Sequence, residues 1–250
     1  MPYDFNYGIL DVAAHRPWAM PRGPWLMTQT WHDLLFAHWP LPPDRLRPLI
    51  PRDCTLDVFD GAAWVGIVPF SMTNVAPRAV PALPWLSEFP ELNVRTYVSA
   101  AGKPGVYFFS LDAARWLAVR AARLLLRLPY FCASMRVSRH GASVSYASRR
   151  RSGARPAVLR GEYRPVGPIF RPAPHSLEYF LTERYCLYER NHLGRLYRLD
   201  IHHPPWPLQL AECELRENSM AEAAGLNLPA QAPLLLFAKR QDMVAWAPTP

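Results

Sequence analysis

The stretch that decides the fold is Glu91–Met135, ELNVRTYVSAAGKPGVYFFSLDAARWLAVRAARLLLRLPYFCASM. Asn93–Val98 and Val106–Ser110 alternate as strands, and Ala-Gly-Lys-Pro-Gly between them reads as a hairpin turn. A helix is expected next, capped by Ser110 or Asp112. It has Trp116, Arg120, Arg123 and Arg127 on one stripe and Ala114, Leu117, Ala118, Ala121 and Leu125 on the other. Pro129 stops that helix, and Leu128-Pro129-Tyr130-Phe131 opens a further strand.

The same pattern of short elements extends in both directions. Upstream, residues 1–24 lack periodicity and read as an extended N-terminal arm, and residues 25–38 alternate as a strand. A short helix follows Pro42-Pro43-Asp44, and Asp60-Gly61 turns a hairpin between Thr55–Phe59 and Ala62–Phe70. Residues 75–90 form a proline-rich loop of the length that often serves as a lid. Downstream, Tyr130–Ser138 and Ser143–Ser148 pair around His140-Gly141, and Ala157–Arg164 follows. Ser176 caps a helix over Leu177–Thr182, and Tyr185–Glu189 pairs with Leu196–Ile201. Leu208–Leu215, a helix at Ala221–Ala224, and strands Leu234–Ala238 and Met243–Trp246 complete the series. Hairpins, with no regular alternation of strand and helix, imply an α+β fold. Its mostly antiparallel sheet is expected to curl into a β-barrel or cone with a few outer helices, residues 25–250 forming one domain.

Composition narrows the function classes. Half of the 250 residues are hydrophobic, which excludes a disordered chain, and 28 prolines spread along it demand many ordered turns. No apolar run is long enough for a membrane-spanning helix, and MPYDFNYGIL lacks the basic and apolar regions of a secretory signal. Four scattered cysteines without C-x-x-C read as reduced thiols, so a cytoplasmic location is expected. Between Arg120 and Arg171 lie twelve arginines and a single acid, Glu162, within a net charge of +8. The tract Arg149-Arg150-Arg151 is a solvated loop by this reading, because no nucleic-acid motif accompanies it. No nucleic-acid partner is therefore expected, and homo-oligomerisation is left open.

The usual catalytic signatures are missing: there is no G-x-S-x-G, G-x-G-x-x-G or G-K-[ST], and no cofactor is expected. His202-His203 sits on a strand, where neighbours point to opposite faces; no metal site is expected, with one ring facing inward and the other exposed. Arg95 shares a strand face with Asn93 and Tyr97. Inside a barrel it needs an anion, either a ligand acid or a side chain such as Glu183 in a structural ion pair.

WHDLLFAHWPLPPDRLRPLIP, NVRTYV, GVYFFSLDA, AR-x-x-x-x-LPY, FLTERYCLY and HPPWPLQLAE together resemble the YqjF-like, or DUF2071, family of uncharacterised bacterial proteins. The resemblance runs from about Thr28 to Trp246. That family is distantly similar to acetoacetate decarboxylase, which implies a cone-like barrel with an internal cavity. The decarboxylase mechanism needs a Schiff-base lysine kept neutral by a neighbouring cation, supplied there by Pro-Lys-Lys. Here the matching residues are Pro129-Tyr130-Phe131, and the chain's two lysines, Lys103 and Lys239, lie elsewhere. The expectation is a protein that binds, and in one version transforms, a small acidic or oxo-acid ligand without Schiff-base chemistry. Arg95 would hold the acid, Tyr130 would serve as hydrogen-bond donor or general acid, and Glu183, His202 and His203 would line the site. The alternative is a non-catalytic structural or interaction protein using the arginine face at Arg120–Arg127.

Overall fold

The computed structural model describes residues 4–81, 87–116, 119–120, 127–153, 155–191 and 193–250. Its strands are β1 (Met27–Leu41), β2 (Thr55–Leu56), β3 (Ala63–Pro77), β4 (Phe89–Ala100), β5 (Lys103–Ala113) and β6 (Tyr130–His140). They continue with β7 (Ser143–Arg150), β8 (Val158–Phe170), β9 (Cys186–Arg190), β10 (Leu196–His202), β11 (Leu208–Asn218) and β12 (Leu234–Ala245). All belong to one 12-stranded sheet. Short helices cover Pro43–Leu46, Leu177–Thr182 and Met220–Ala223, the second capped by the Ser176 side chain as expected. The stripe at Arg120–Arg127 falls largely on residues 117–118 and 121–126, outside the described residues, as do residues 82–86 of the proline-rich loop.

The sheet is mixed. Most pairings are antiparallel, but β5 pairs in parallel with both β6 and β9. Two strands branch. One edge of β5 is lined by β4, while the other meets β9 at Val106–Tyr107 and β6 at Leu111–Ala113. β12 likewise runs beside β1 on one edge and meets β11 near Leu236 and β10 near Val244 on the other. The pairings therefore return on themselves by two routes, one through β9 and β10 and one through β6, β7, β8 and β11.

Strands shared by both routes separate two cores. Leu34 and Phe36 of β1 pack on one side and Leu35 and Ala37 on the other, which is why Asp33–Trp39 is buried on both faces and loses its alternation. Tyr97 of β4 belongs to the first core; Leu92 and Val94 belong to the second. The hairpins turn tightly. Ala101 (φ 48°) with Gly102 (φ 71°), and Asp60 (φ 48°) with Gly61 (φ 76°), are two-residue turns with positive φ throughout. The expected five-residue turn at Ala101–Gly105 is thus shorter, because β5 already begins at Lys103.

Three other expectations change. β12 is one continuous strand, since Arg240–Asp242 stay paired with β1. β5 runs through Ala113, so Asp112 does not cap a helix; it forms a buried ion pair with Arg150 at 2.6 Å. The N-terminal arm is not wholly extended. It makes a 3-10 turn at Tyr7–Asp11, whose Ile9 packs on Val244 and Trp246.

Candidate functional site

Strand β4 carries a row of polar side chains into the first core. Glu91, Asn93, Arg95 and Tyr97 alternate along it, with Leu92 and Val94 turned the other way. At one end Glu91, 3% exposed, accepts a hydrogen bond from the Tyr130 hydroxyl at 2.7 Å. The Tyr146 hydroxyl donates to the Glu91 carbonyl at 2.8 Å. No arginine or lysine forms an ion pair with Glu91 among the described residues. Burial pushes its carboxyl up to about 8, against the opposing effect of the Tyr130 hydrogen bond. Burial likewise raises the Tyr130 hydroxyl well above the usual phenol value, and the Glu91 carboxylate adds to the shift.

About 13 Å along the strand, by the rise of four residues, Arg95 and Tyr97 meet β1. Arg95 Nε donates to Tyr97 Oη at 3.3 Å and Nη2 to the Leu181 carbonyl at 3.2 Å. The guanidinium lies 5.3 Å from the Phe36 ring centre. Tyr97 Oη and His38 Nε2 are 2.6 Å apart, while His38 Nδ1 is buried without a partner. His38 is held neutral: burial, then the Arg95 charge, takes it well below the ordinary imidazole value. Between His38 and Arg95 on the adjoining strand is Gly66, in register with both. A Cβ there would stand 2.8 Å from His38 Nε2, so this row closes only around a glycine.

The short helix Leu177–Thr182 covers this end of the core. Phe180 packs on Tyr97 with centroids 5.4 Å apart. Arg184 stacks over both rings and is fixed by Asp57 at 2.6 Å. Outside the helix lies a concavity of about 310 Å³ bordered by Trp18, Phe59, Phe180, Glu183 and Arg184.

The residues expected at the site fall into three places. Tyr130 is held by Glu91, and Arg95 sits on the His38–Tyr97 row. Arg95 makes no ion pair with Glu183 or any other acid among the described residues; the Leu181 carbonyl takes that position. Glu183 and His203 do come together at Tyr185, and His202 joins them through Arg16, which stacks on that ring. Glu183 accepts from Trp206 N at 2.9 Å and from the Tyr185 hydroxyl, and Tyr185 stacks on His203 at 4.7 Å. Burial raises the Glu183 carboxyl. Both histidines are sealed, against the expectation of one exposed ring, because the N-terminal arm covers the outer side. His202 accepts from Arg16 Nη1 at 3.2 Å and donates to the Ile9 carbonyl at 2.8 Å. His203 Nε2 lies 3.2 Å from the Arg184 carbonyl and Nδ1 2.8 Å from the Pro204 carbonyl.

Glu91, His38 and Tyr97 were not singled out by sequence reading. Their signal was available in part: Glu91 and Tyr97 fall on the Arg95 face by strand parity, whereas the His38 contact depends on strand pairing across 59 residues. The lysines lie apart from Tyr130. Lys239 is ion-paired with Asp33 at 2.6 Å with its side chain 70% exposed, and the Lys103 ammonium sits 5.7 Å from the Trp18 ring centre.

Residues 28–242 match the DUF2071 family, described as an uncharacterized conserved protein. The chain is 46% identical over 228 residues to the uncharacterized protein YqjF of Bacillus subtilis (strain 168), covering 91% of this chain and 93% of that one. Among solved structures it resembles the enduracididine biosynthesis enzyme MppR complexed with pyruvate. The TM-score is 0.61 at 10% identity, covering 93% of this chain and 92% of that one. It also resembles acetoacetate decarboxylase from Legionella pneumophila, with a TM-score of 0.59 at 13% identity, covering 100% of this chain and 98% of that one. At such identities the structural likeness establishes the fold alone.

Proposed function

The chain belongs to the DUF2071 family, and on that premise we propose that it binds a small acidic or oxo-acid ligand inside a barrel closed by the two strand routes, without Schiff-base chemistry. One observation carries the reading. Arg95 places a half-buried guanidinium on the inner face of β4, and no carboxylate pairs with it among the described residues. A buried cation without an acid is costly, and a ligand carboxylate in bidentate contact relieves that cost. The MppR relative was solved with pyruvate, an acid of this class.

Roles follow from position. Arg95 holds the acid, and neutral His38 with Tyr97 fixes the guanidinium and rejects a second positive charge. Tyr130 and Glu91 form a proton-holding pair: a carboxyl near 8 exchanges its proton close to neutral pH, which suits a general acid or base. Glu183, His202 and His203 keep the wall behind Tyr185 in place through hydrogen bonds already made. The place of the decarboxylase lysine is taken by Tyr130, and a phenol forms no imine.

The interaction-protein alternative rests on the arginine face Arg120–Arg127, which falls largely outside the described residues; elsewhere, Arg164 on β8 pairs with Glu212 at 2.7 Å and Arg216 on β11 with Glu214 at 3.1 Å.

Calorimetric titration with pyruvate and acetoacetate tests the proposal. Saturable binding is expected, with Arg95→Met weakening it roughly tenfold or more, the scale of a charged hydrogen bond. Borohydride added with either acid should leave the protein mass unchanged. Equal affinity in Arg95→Met, or a reduced covalent adduct, would overturn it.

A further inference from the structure

Four Trp, Phe and Tyr rings border the 310 Å³ concavity outside the helix Leu177–Thr182, with His175 beside them. They are Trp18 from the N-terminal arm, Phe59 from the turn before β3, and Tyr179 and Phe180 from the helix. Its volume is at the lower end of small-molecule sites, about 300–1,000 Å³, and an aromatic lining with few polar groups is typical of them. Phe59 and Phe180 stand 5.5 Å apart at 51°, a tilted pair with edges and faces available to a third ring.

Charge decides what those rings would hold. Arg184 is occupied by Asp57 at 2.6 Å, and the Glu183 oxygens accept from Trp206 N and from the Tyr185 hydroxyl. Beside the lining residue Pro104 stands Lys103. The Lys103 ammonium lies 5.7 Å from the Trp18 ring centre and pairs with no acid among the described residues. Arg16, 8% exposed, lies 5.7 Å from the same ring, and its Nη2 is buried without a hydrogen-bond partner. Arg16 shares that indole with Asp200, which accepts from Trp18 Nε1 at 3.4 Å, so Lys103 is the cation left to meet a ligand acid there among the described residues.

We propose that this concavity binds a planar aromatic carboxylic acid, its ring against Trp18, Phe59 and Phe180 and its carboxylate at Lys103. The site is separate from Arg95, because the Phe180 and Tyr97 rings, 5.4 Å apart, stand between them. A three-carbon oxo acid has no surface to bury against these rings. An aromatic amine would bring its charge against Lys103. The ring acid satisfies both features at once.

Calorimetric titration of benzoate into the full chain tests this, with benzyl alcohol and benzylamine as probes of the same ring in neutral and cationic form. Benzoate is expected to bind one to one, and the other two at least about fivefold more weakly, the scale of one partly exposed ion pair. Lys103→Gln should weaken benzoate by a similar factor. Phe59→Ala should weaken it further by removing a stacking partner, and serves if Lys103→Gln folds poorly. Arg95→Met should leave benzoate unaffected while losing oxo acids, which keeps this proposal distinct from the one above. No benzoate binding, benzylamine as the tightest probe, or benzoate indifferent to both Lys103→Gln and Phe59→Ala would overturn it. So would loss of benzoate in Arg95→Met, which would assign the acid to the inner row.

Discussion

The Tyr130 hydroxyl donates to Glu91 at 2.7 Å, and this hydrogen bond joins a phenol and a carboxyl that are both sealed from water. That burial gives a pH dependence of unusual sign for a carboxylate. Burial raises Glu91 to about 8 from the ordinary 4.5, so the folded chain keeps a proton there that the unfolded chain gives up. That stability is present below pH 4.5 and is lost as pH rises toward 8. Glu91→Gln keeps an acceptor for Tyr130 and removes the titration. Urea denaturation at pH 5 and pH 8 should show the wild type losing up to about 3 kcal/mol more than the variant over that interval. Parallel profiles would mean that Glu91 titrates normally.

Tyr130→Phe takes the other half of the pair. It leaves the ring in place and removes the hydroxyl that Glu91 depends on. An unmet buried acceptor costs about 1–3 kcal/mol, so the midpoint of urea unfolding should fall accordingly at pH 5. Tyr146→Phe is the comparison. Its hydroxyl reaches the Glu91 and Phe70 carbonyls instead of the carboxyl, so it should leave the Glu91 titration in place. A Tyr130→Phe chain as stable as wild type would show that water meets Glu91 in place of the phenol.

Gly66→Ala tests the row that holds Arg95. The added methyl would lie 2.8 Å from His38 Nε2 and 3.4 Å from Arg95 Cγ, with fixed strands on both sides. His38 cannot retreat, being fully buried and tied to Tyr97. Overpacking of this kind costs about 1–3 kcal/mol, and displacement of Arg95 should lower oxo-acid affinity more than benzoate affinity. Thermal unfolding and the two titrations read the effects separately. An alanine tolerated with full oxo-acid binding would show that the row is looser than its distances.

Much of this architecture could be read from the chain. The helix Leu177–Thr182 with its Ser176 cap and the turn at Asp60-Gly61 follow from local chemistry and stand where expected, although Thr55–Leu56 pairs with β4 and only Phe59 and Ala62 bridge that turn. The turn expected at His140-Gly141 falls one residue on, because His140 pairs with Ser143. The facing of Arg95 with Asn93 and Tyr97 followed from parity alone. Failures came where distant partners decide. Asp112 looked like a helix cap, but β4 and β6 pair with β5 past it and Arg150, 38 residues away, takes its carboxylate. His202 and His203 obeyed the alternation rule, yet the outer ring is buried because the arm from Ile9 to Arg16 folds over it. The parallel contacts of β5 join strands with no hairpin between them, so no turn signal announces them.

The arm over His202 sets the acid limit of stability. Burial takes both His202 and His203 down to about 4 from the ordinary 6.5, so they are neutral in the folded chain. Unfolding at lower pH lets them take up protons. The stability they contribute is complete above pH 6.5 and falls as pH drops through 4, opposite in direction to the Glu91 effect. His202 also cannot accept from Arg16 once Nδ1 is protonated, so loss of the arm should accompany loss of stability. His202→Gln offers an amide that can both accept from Arg16 and donate to Ile9, without titrating. Its acid slope between pH 6.5 and 4 should be shallower than wild type by about 2–3 kcal/mol, and limited proteolysis at pH 4.5 should cut the wild-type arm sooner. Because Glu91 erodes stability from the alkaline side and the histidines from the acid side, the wild type should be most stable between about pH 6 and 7, with Glu91→Gln moving that maximum to higher pH and His202→Gln moving it to lower pH. An unmoved maximum in both variants would show that neither group governs it.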